Sequence, residues 1–180
     1  MIMTHAQAVE EYGSPYRINK EIESNRLFRL ARGFYSKNRH EDPYALATMR
    51  YPDAIVTMDS AFWLHGLTDV IPDRVHLATP RDSTRISDAG IVQHFSEDRL
   101  LLPGKTSIVR EGNDIPIYDK ERMLVELMRN SASMPFDHYK EIVSSYRKIA
   151  DELDMRAIED YISLFERNDY LYDALQREVM

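Results

Sequence analysis

Residues 57–81, TMDSAFWLHGLTDVIPDRVHLATPR, set the terms for the whole chain. Met58 to about Leu64 has the composition of a short helix, and Gly66 stops it as glycine stops helices. The chain's one tryptophan, Trp63, packs at that helix end beside Ser60, Phe62 and Leu64. Pro72-Asp73 makes a turn. From Arg74 to Ala78, Val75 and Leu77 alternate with Arg74, His76 and Thr79, the period of a half-buried strand. A core helix feeds a core strand through a tight turn; taken with a short winged-helix-like front and a mixed α/β domain ending in a run of C-terminal helices, the expected fold class is α+β.

Reading upstream, Ala54-Ile55-Val56 is a short strand, and a helix spans Tyr44 to Tyr51 with Leu46, Ala47 and Met49 inward. Pro52 ends it. Downstream, 80–90 is a polar loop carrying Arg81 and Arg85, a candidate functional surface of the larger domain. Ile91 to Phe95 alternates as a strand, and 96–104 reads as loop. Thr106–Arg110 and Ile115–Tyr118 form a hairpin across Glu111-Gly112-Asn113-Asp114, with Gly-Asn as the turn. Beyond Asp119 the chain is helical. Asp119 caps a helix whose buried stripe is Met123, Leu124, Leu127 and Met128. Pro135 opens the next, with Phe136, Tyr139, Ile142, Val143 and Tyr146 at helical spacing. Two more helices follow, at about 154–166 and 169–179.

The front of the chain has a different character. Residues 4–12 form a helix with Thr4 as N-cap and Ala8, Val9 and Tyr12 on one face. Gly13-Ser14-Pro15 breaks it. A second helix, about Arg17 to Ser24, turns Ile18 and Ile22 inward. Residues 26–37 read as two short strands about Ala31-Arg32-Gly33. Helix, turn, helix and basic hairpin outline a small winged helix, with two helices where a typical helix-turn-helix domain has three. The charged stretch 38–43 gives the boundary, so the expected domains are 1–38 and 39–180.

Charge follows the same division. The 180 residues carry a net charge of -7, and the sequence pI is about 5.4, which argues against a whole-surface nucleic-acid or anionic-membrane binder. Yet residues 13–39 hold seven basic side chains against two acidic ones, a net of +5, which leaves -12 on the remainder. A basic end suits an anionic partner. With 43% hydrophobic residues the chain has material for a core, and no apolar run approaches the ~20 residues needed to span a bilayer. The absence of cysteine excludes a disulfide framework, thiolate zinc and a cysteine nucleophile. No signal peptide is legible, so the expected location is the cytoplasm.

Catalytic and cofactor signatures are missing. The six histidines (5, 40, 65, 76, 94 and 138) show no HxxxH or HxH pair; His76 and His94, on predicted strands, are expected to face solvent, with a meeting of the two in space as the alternative. No Gly-rich phosphate loop and no GxSxG elbow occurs, so no cofactor is expected. A metal-dependent nuclease could be built from Asp114, Asp119, Lys120 and Glu121. Asp119 serves better as a helix cap, however, and Glu121 suits the first turn of a helix. The chain reads as a non-enzyme.

The stretches YGSPYRINKEI (12–22), RLFRLARGFYS (26–36), SAFWLHGLTDVIPDRVHLATPR (60–81), DIPIYDKERMLVELMR (114–129) and PFDHYKEIVSSYR (135–147) together resemble the AbiEi family. Its members are the antitoxin and transcriptional-regulator half of type IV (abortive infection, AbiE) toxin–antitoxin pairs. The resemblance implies a winged-helix front that binds inverted repeats in double-stranded DNA before its own operon, and an α/β C-terminal domain. It also implies a functional partner, an AbiEii-like nucleotidyltransferase toxin, usually countered without a stable complex. On this chain the DNA-facing candidates are Tyr16, Arg17, Asn19 and Lys20 on the short helix. Arg26, Arg29, Arg32 and Lys37 are the candidates on the hairpin. The other reading is a protein-interaction module that meets a toxin or another basic partner through the acidic C-terminal helices.

Overall fold

The computed structural model describes residues 1–166 and 168–179. It is an α+β protein, 48% helix and 20% strand, with several helices at its C-terminal end. The chain forms two compact units, one of Met1–Tyr51 with Val109–Ile115, the other of Pro52–Ile108 with Pro116–Met180.

The first unit begins with β1 (Met3–Thr4), α1 (His5–Tyr12), α2 (Pro15–Glu23), β2 (Phe28–Ala31), β3 (Phe34–Ser36) and α3 (Pro43–Arg50). Thr4 closes a reciprocal capping box with Gln7, and Gly13, in the left-handed region at φ 84°, ends α1. Ser14 caps α2, and Pro15 takes its first turn, where a missing N–H costs nothing. Met3, Ala8, Ile18, Leu27 and Tyr35 make the core, with Val9, Tyr12 and Ile22 packed against it. Strand β1 is not legible by periodicity, because two residues have none. It exists through its pairing with β3, Met3 opposite Tyr35 and Thr4 opposite Phe34. In α3 the buried residues are Tyr44, Ala45, Ala47 and Thr48, whereas Leu46 and Met49 are half-buried. The inward face is thus rotated from the expected one. Asp42 fixes the start of α3: one carboxylate oxygen accepts from the N–H groups of Tyr44 and Ala45, the other from Arg110 Nε at 2.8 Å.

The second unit contains β4 (Ile55–Val56), α4 (Met58–Leu64), β5 (Val75–Pro80), β6 (Ile91–Ser96) and α5 (Asp98–Leu101). Next come β7 (Lys105–Arg110), β8 (Asn113–Tyr118), α6 (Lys120–Asn130), α7 (Phe136–Lys148), α8 (Met155–Ser163) and α9 (Asp169–Glu178). The tip of the β7–β8 hairpin is grouped with the first unit. The sheet order is β6-β5-β4-β8-β7. β4 runs antiparallel to β5 and parallel to β8, and β5 runs parallel to β6. The hairpin turns on Glu111-Gly112, at φ 49° and 77°, one residue earlier than the expected Gly-Asn pair. Two successive positive φ values match the right-handed twist of the flanking strands. Within the expected loop 96–104, α5 buries Leu100 and Leu101. Phe136 does not join the inward face of α7: it is 70% exposed, while Tyr139, Ile142, Val143 and Tyr146 are buried.

Helix α6 departs most from its sequence pattern. Every residue from Arg122 to Met128 is buried, not the apolar stripe alone. The reason is packing on several sides, since α4, α8 and α9 all lie against α6. Among the described residues no helix is long and apolar enough to cross a membrane.

Candidate nucleic-acid interface

The short helix of the first unit sorts its side chains cleanly. Ile18 goes into the core, and Tyr16, Arg17, Asn19 and Lys20 stay exposed. The Lys20 ammonium lies 4.9 Å from the centre of the Tyr16 ring, a cation held over an aromatic face. On the hairpin, Arg29 and Arg32 are exposed, and Gly33 at φ 83° makes the turn beside Arg32. Two other candidates have partners. Arg26 forms a two-pronged pair with Glu21 at 2.7 and 2.9 Å, which holds the Glu21 carboxyl below its ordinary pKa. Lys37 pairs with Glu11 at 2.7 Å, which raises its own pKa. Arg39 is exposed as well. In chemical terms this is a set of guanidinium and ammonium donors beside one phenol and one amide. Such groups position phosphates, and the amide and phenol can also reach base edges.

In the second unit, Arg81 is exposed 3.9 Å from Glu97, and Arg85 is exposed in the same loop. Asp119 is the predicted cap: it accepts from Arg122 N–H at 2.7 Å and from the Tyr161 hydroxyl at 2.8 Å. Burial raises its pKa, those two hydrogen bonds notwithstanding. Glu121 accepts from the Asp154 N–H, and Asp114 is exposed on β8. Among the described residues no three His, Asp or Glu side chains are placed to hold a metal ion.

Polar structure that the sequence pattern ranks second or leaves out lies inside the second unit. His76 and His94 do not face solvent; they meet, with His94 Nε2 and His76 Nδ1 3.2 Å apart. The parallel register sets Ala78 opposite His94, so His76 is its diagonal neighbour. His76 Nε2 lies 3.8 Å from Asp59, and His138 Nε2 lies 3.4 Å from the other Asp59 oxygen. Burial drives His76 down to about 4, with His94 and Arg74 adding to the fall and Asp59 opposing it. His94 is lowered by burial too, so both imidazoles are neutral at pH 7. At the end of α4, His65 Nε2–H donates to the Tyr118 carbonyl at 2.6 Å, and burial lowers its pKa.

His94 also lines a polar cavity of about 250 Å³ with Arg122, Glu126, Arg129 and Asn130 of α6. The signal for it is in the sequence. Four polar residues at i, i+4, i+7 and i+8 share one helix face. Arg122 and Glu126 lie in the stretch of α6 that packing buries, whereas Arg129 is exposed and Asn130 half-buried at its end.

No protein-family profile matches the chain, and no curated protein matches it. Among solved structures it is similar to the crystal structure of the RV2827C protein from Mycobacterium tuberculosis. The TM-score is 0.61 at 21% sequence identity, over 97% of this chain and 72% of that one. At that identity the likeness concerns the fold.

Proposed function

We propose that the protein is a DNA-binding transcriptional autorepressor and antitoxin of the AbiEi kind, acting without catalysis. The observation that carries the reading is the outer face of α2. Tyr16, Arg17, Asn19 and Lys20 are all exposed there while Ile18 anchors the helix. The hairpin adds Arg29 and Arg32, both exposed. On this reading α2 enters the major groove of an inverted repeat before the protein's own gene, and the hairpin holds the backbone. The functional partner is a nucleotidyltransferase-like toxin.

The test is a gel-shift titration with DNA from upstream of the gene, at two salt concentrations and with unrelated competitor DNA. Specific binding should weaken steeply with salt, because each phosphate contact adds about -0.9 to the slope of log K against log salt. Arg29→Glu with Arg32→Glu should abolish the shift. An unchanged shift in that double variant, or none at low salt in the parent protein, sinks the proposal. A second reading has its own observation. On α9, Tyr170 and Tyr172 are exposed beside Asp169 and Asp173, a surface suited to a basic protein partner. Under it the double variant loses nothing.

A further inference from the structure

The polar line on α6 is held by one carboxylate. Glu126 Oε1 accepts from Arg122 Nε at 3.1 Å and Nη2 at 2.8 Å. Its Oε2 accepts from Arg129 Nη1 at 2.8 Å and Asn130 Nδ2 at 3.3 Å. Two guanidiniums thus share one negative charge, and the hub is left at +1. Among the described residues Glu97 is the other carboxylate lining the cavity. Glu97 at the rim is engaged by Arg99 Nε at 3.0 Å, and His94 is neutral.

The two arginines differ in what they can do. Arg122 is 1% exposed, and its Nη1 donates to the Pro103 carbonyl at 3.2 Å, so it is locked in the wall. Arg129 is 33% exposed and stacks 3.8 Å over the Phe165 ring, which fixes the plane of its guanidinium. Its Nη1 donates to Glu126 Oε2. Met58, which also lines the cavity, has φ 46°, a left-handed conformation costly for any residue but glycine. Strain of this kind collects at binding sites.

We propose that this cavity is a binding site for a small oxyanion, a phosphate monoester or a carboxylate, with Arg129 as its direct ligand. Arg122 supplies positive charge from behind, and Glu126 positions both arginines. The cavity lies near the lower end of ligand-pocket sizes, about 300–1,000 Å³, so the ligand is an anionic group on a small body. A planar fork of N–H donors matches either oxyanion, and charge-assisted bonds of this type are the strong ones.

The experiment is a calorimetric titration of the full chain, in buffer free of phosphate, with inorganic phosphate, ribose 5-phosphate and succinate. It is run on the Arg29→Glu, Arg32→Glu protein, so that the hairpin arginines of the first unit cannot supply the signal, and Arg129→Gln separates the cavity from Arg17 and Lys20. Saturable one-site binding is expected, weakened at least about tenfold by Arg129→Gln and only partly by Arg129→Lys. Whichever of the phosphates or the succinate binds assigns the oxyanion. Circular dichroism shows whether each variant is folded. Should Arg129→Gln unfold the chain, the parent titration is followed by NMR, where the Ser96 and Asn130 amides must shift. Absence of saturable binding with all three probes up to about 10 mM, or equal affinity in a folded Arg129→Gln, overturns the proposal.

Discussion

The two units handle positive charge in opposite ways. In the first, Arg17, Lys20, Arg29 and Arg32 stand in water on a helix and a hairpin whose core is made by other residues. In the second, Arg122 is walled in by its own helix, by the rings of Tyr118 and Phe165, and by Glu126. An exposed guanidinium is cheap to keep and contributes little to stability. A buried one is tolerable only while every partner stays in place. The first arrangement leaves charge available to a large anionic surface. The second gives a fixed geometry suited to one small group.

Removing the shared carboxylate should open that contrast furthest. Glu126→Ala leaves Arg122 buried without a counter-charge, and about 3–5 kcal/mol should be lost in urea unfolding. Acid should act on the same unit. The folded pKa of His76 is about 4 against an ordinary 6.5, so between those values the unfolded chain binds more protons. Stability is therefore complete above about pH 6.5 and falls as the pH drops toward 4, each pH unit of that interval removing at most about 1.4 kcal/mol. His76→Phe should flatten that part of a stability–pH curve; an unchanged slope would show that another group titrates there.

Gly104→Ala should cost about 1–3 kcal/mol, because φ there is +81° and the new Cβ would lie 2.5 Å from Arg122 Cβ. Thermal melts would read it, and a neutral result would mean that α6 can shift away from the β7 entry. The smallest effect belongs to the first unit. Arg29→Glu with Arg32→Glu should leave the stability to unfolding within about 0.5 kcal/mol of the parent, whatever it does to DNA binding. A large loss there would break the comparison.

Features that depend on near neighbours were legible in the chain alone. Thr4 and Asp119 cap the helices that follow them through side-chain oxygens that accept N–H groups three residues on; Ser14, Asp42 and Asp154 do the same without being predicted as caps. Gly66 and Gly112, at φ 70° and 77°, stand where the chain must turn. Alternation and helical spacing supplied β5, β6 and most of α7. The basic helix and hairpin were legible too, since exposed charge needs no partner to be recognised. Which residues meet across the fold was a matter for tertiary packing. β1 depends on β3, the His76–His94 contact depends on the register of two parallel strands, and the enclosure of the polar line on α6 depends on several elements packed against it. The spacing of Arg122, Glu126, Arg129 and Asn130 is present in the sequence. Whether such a face meets water or a cavity is set by residues distant in the chain, and local pattern carries no information about them.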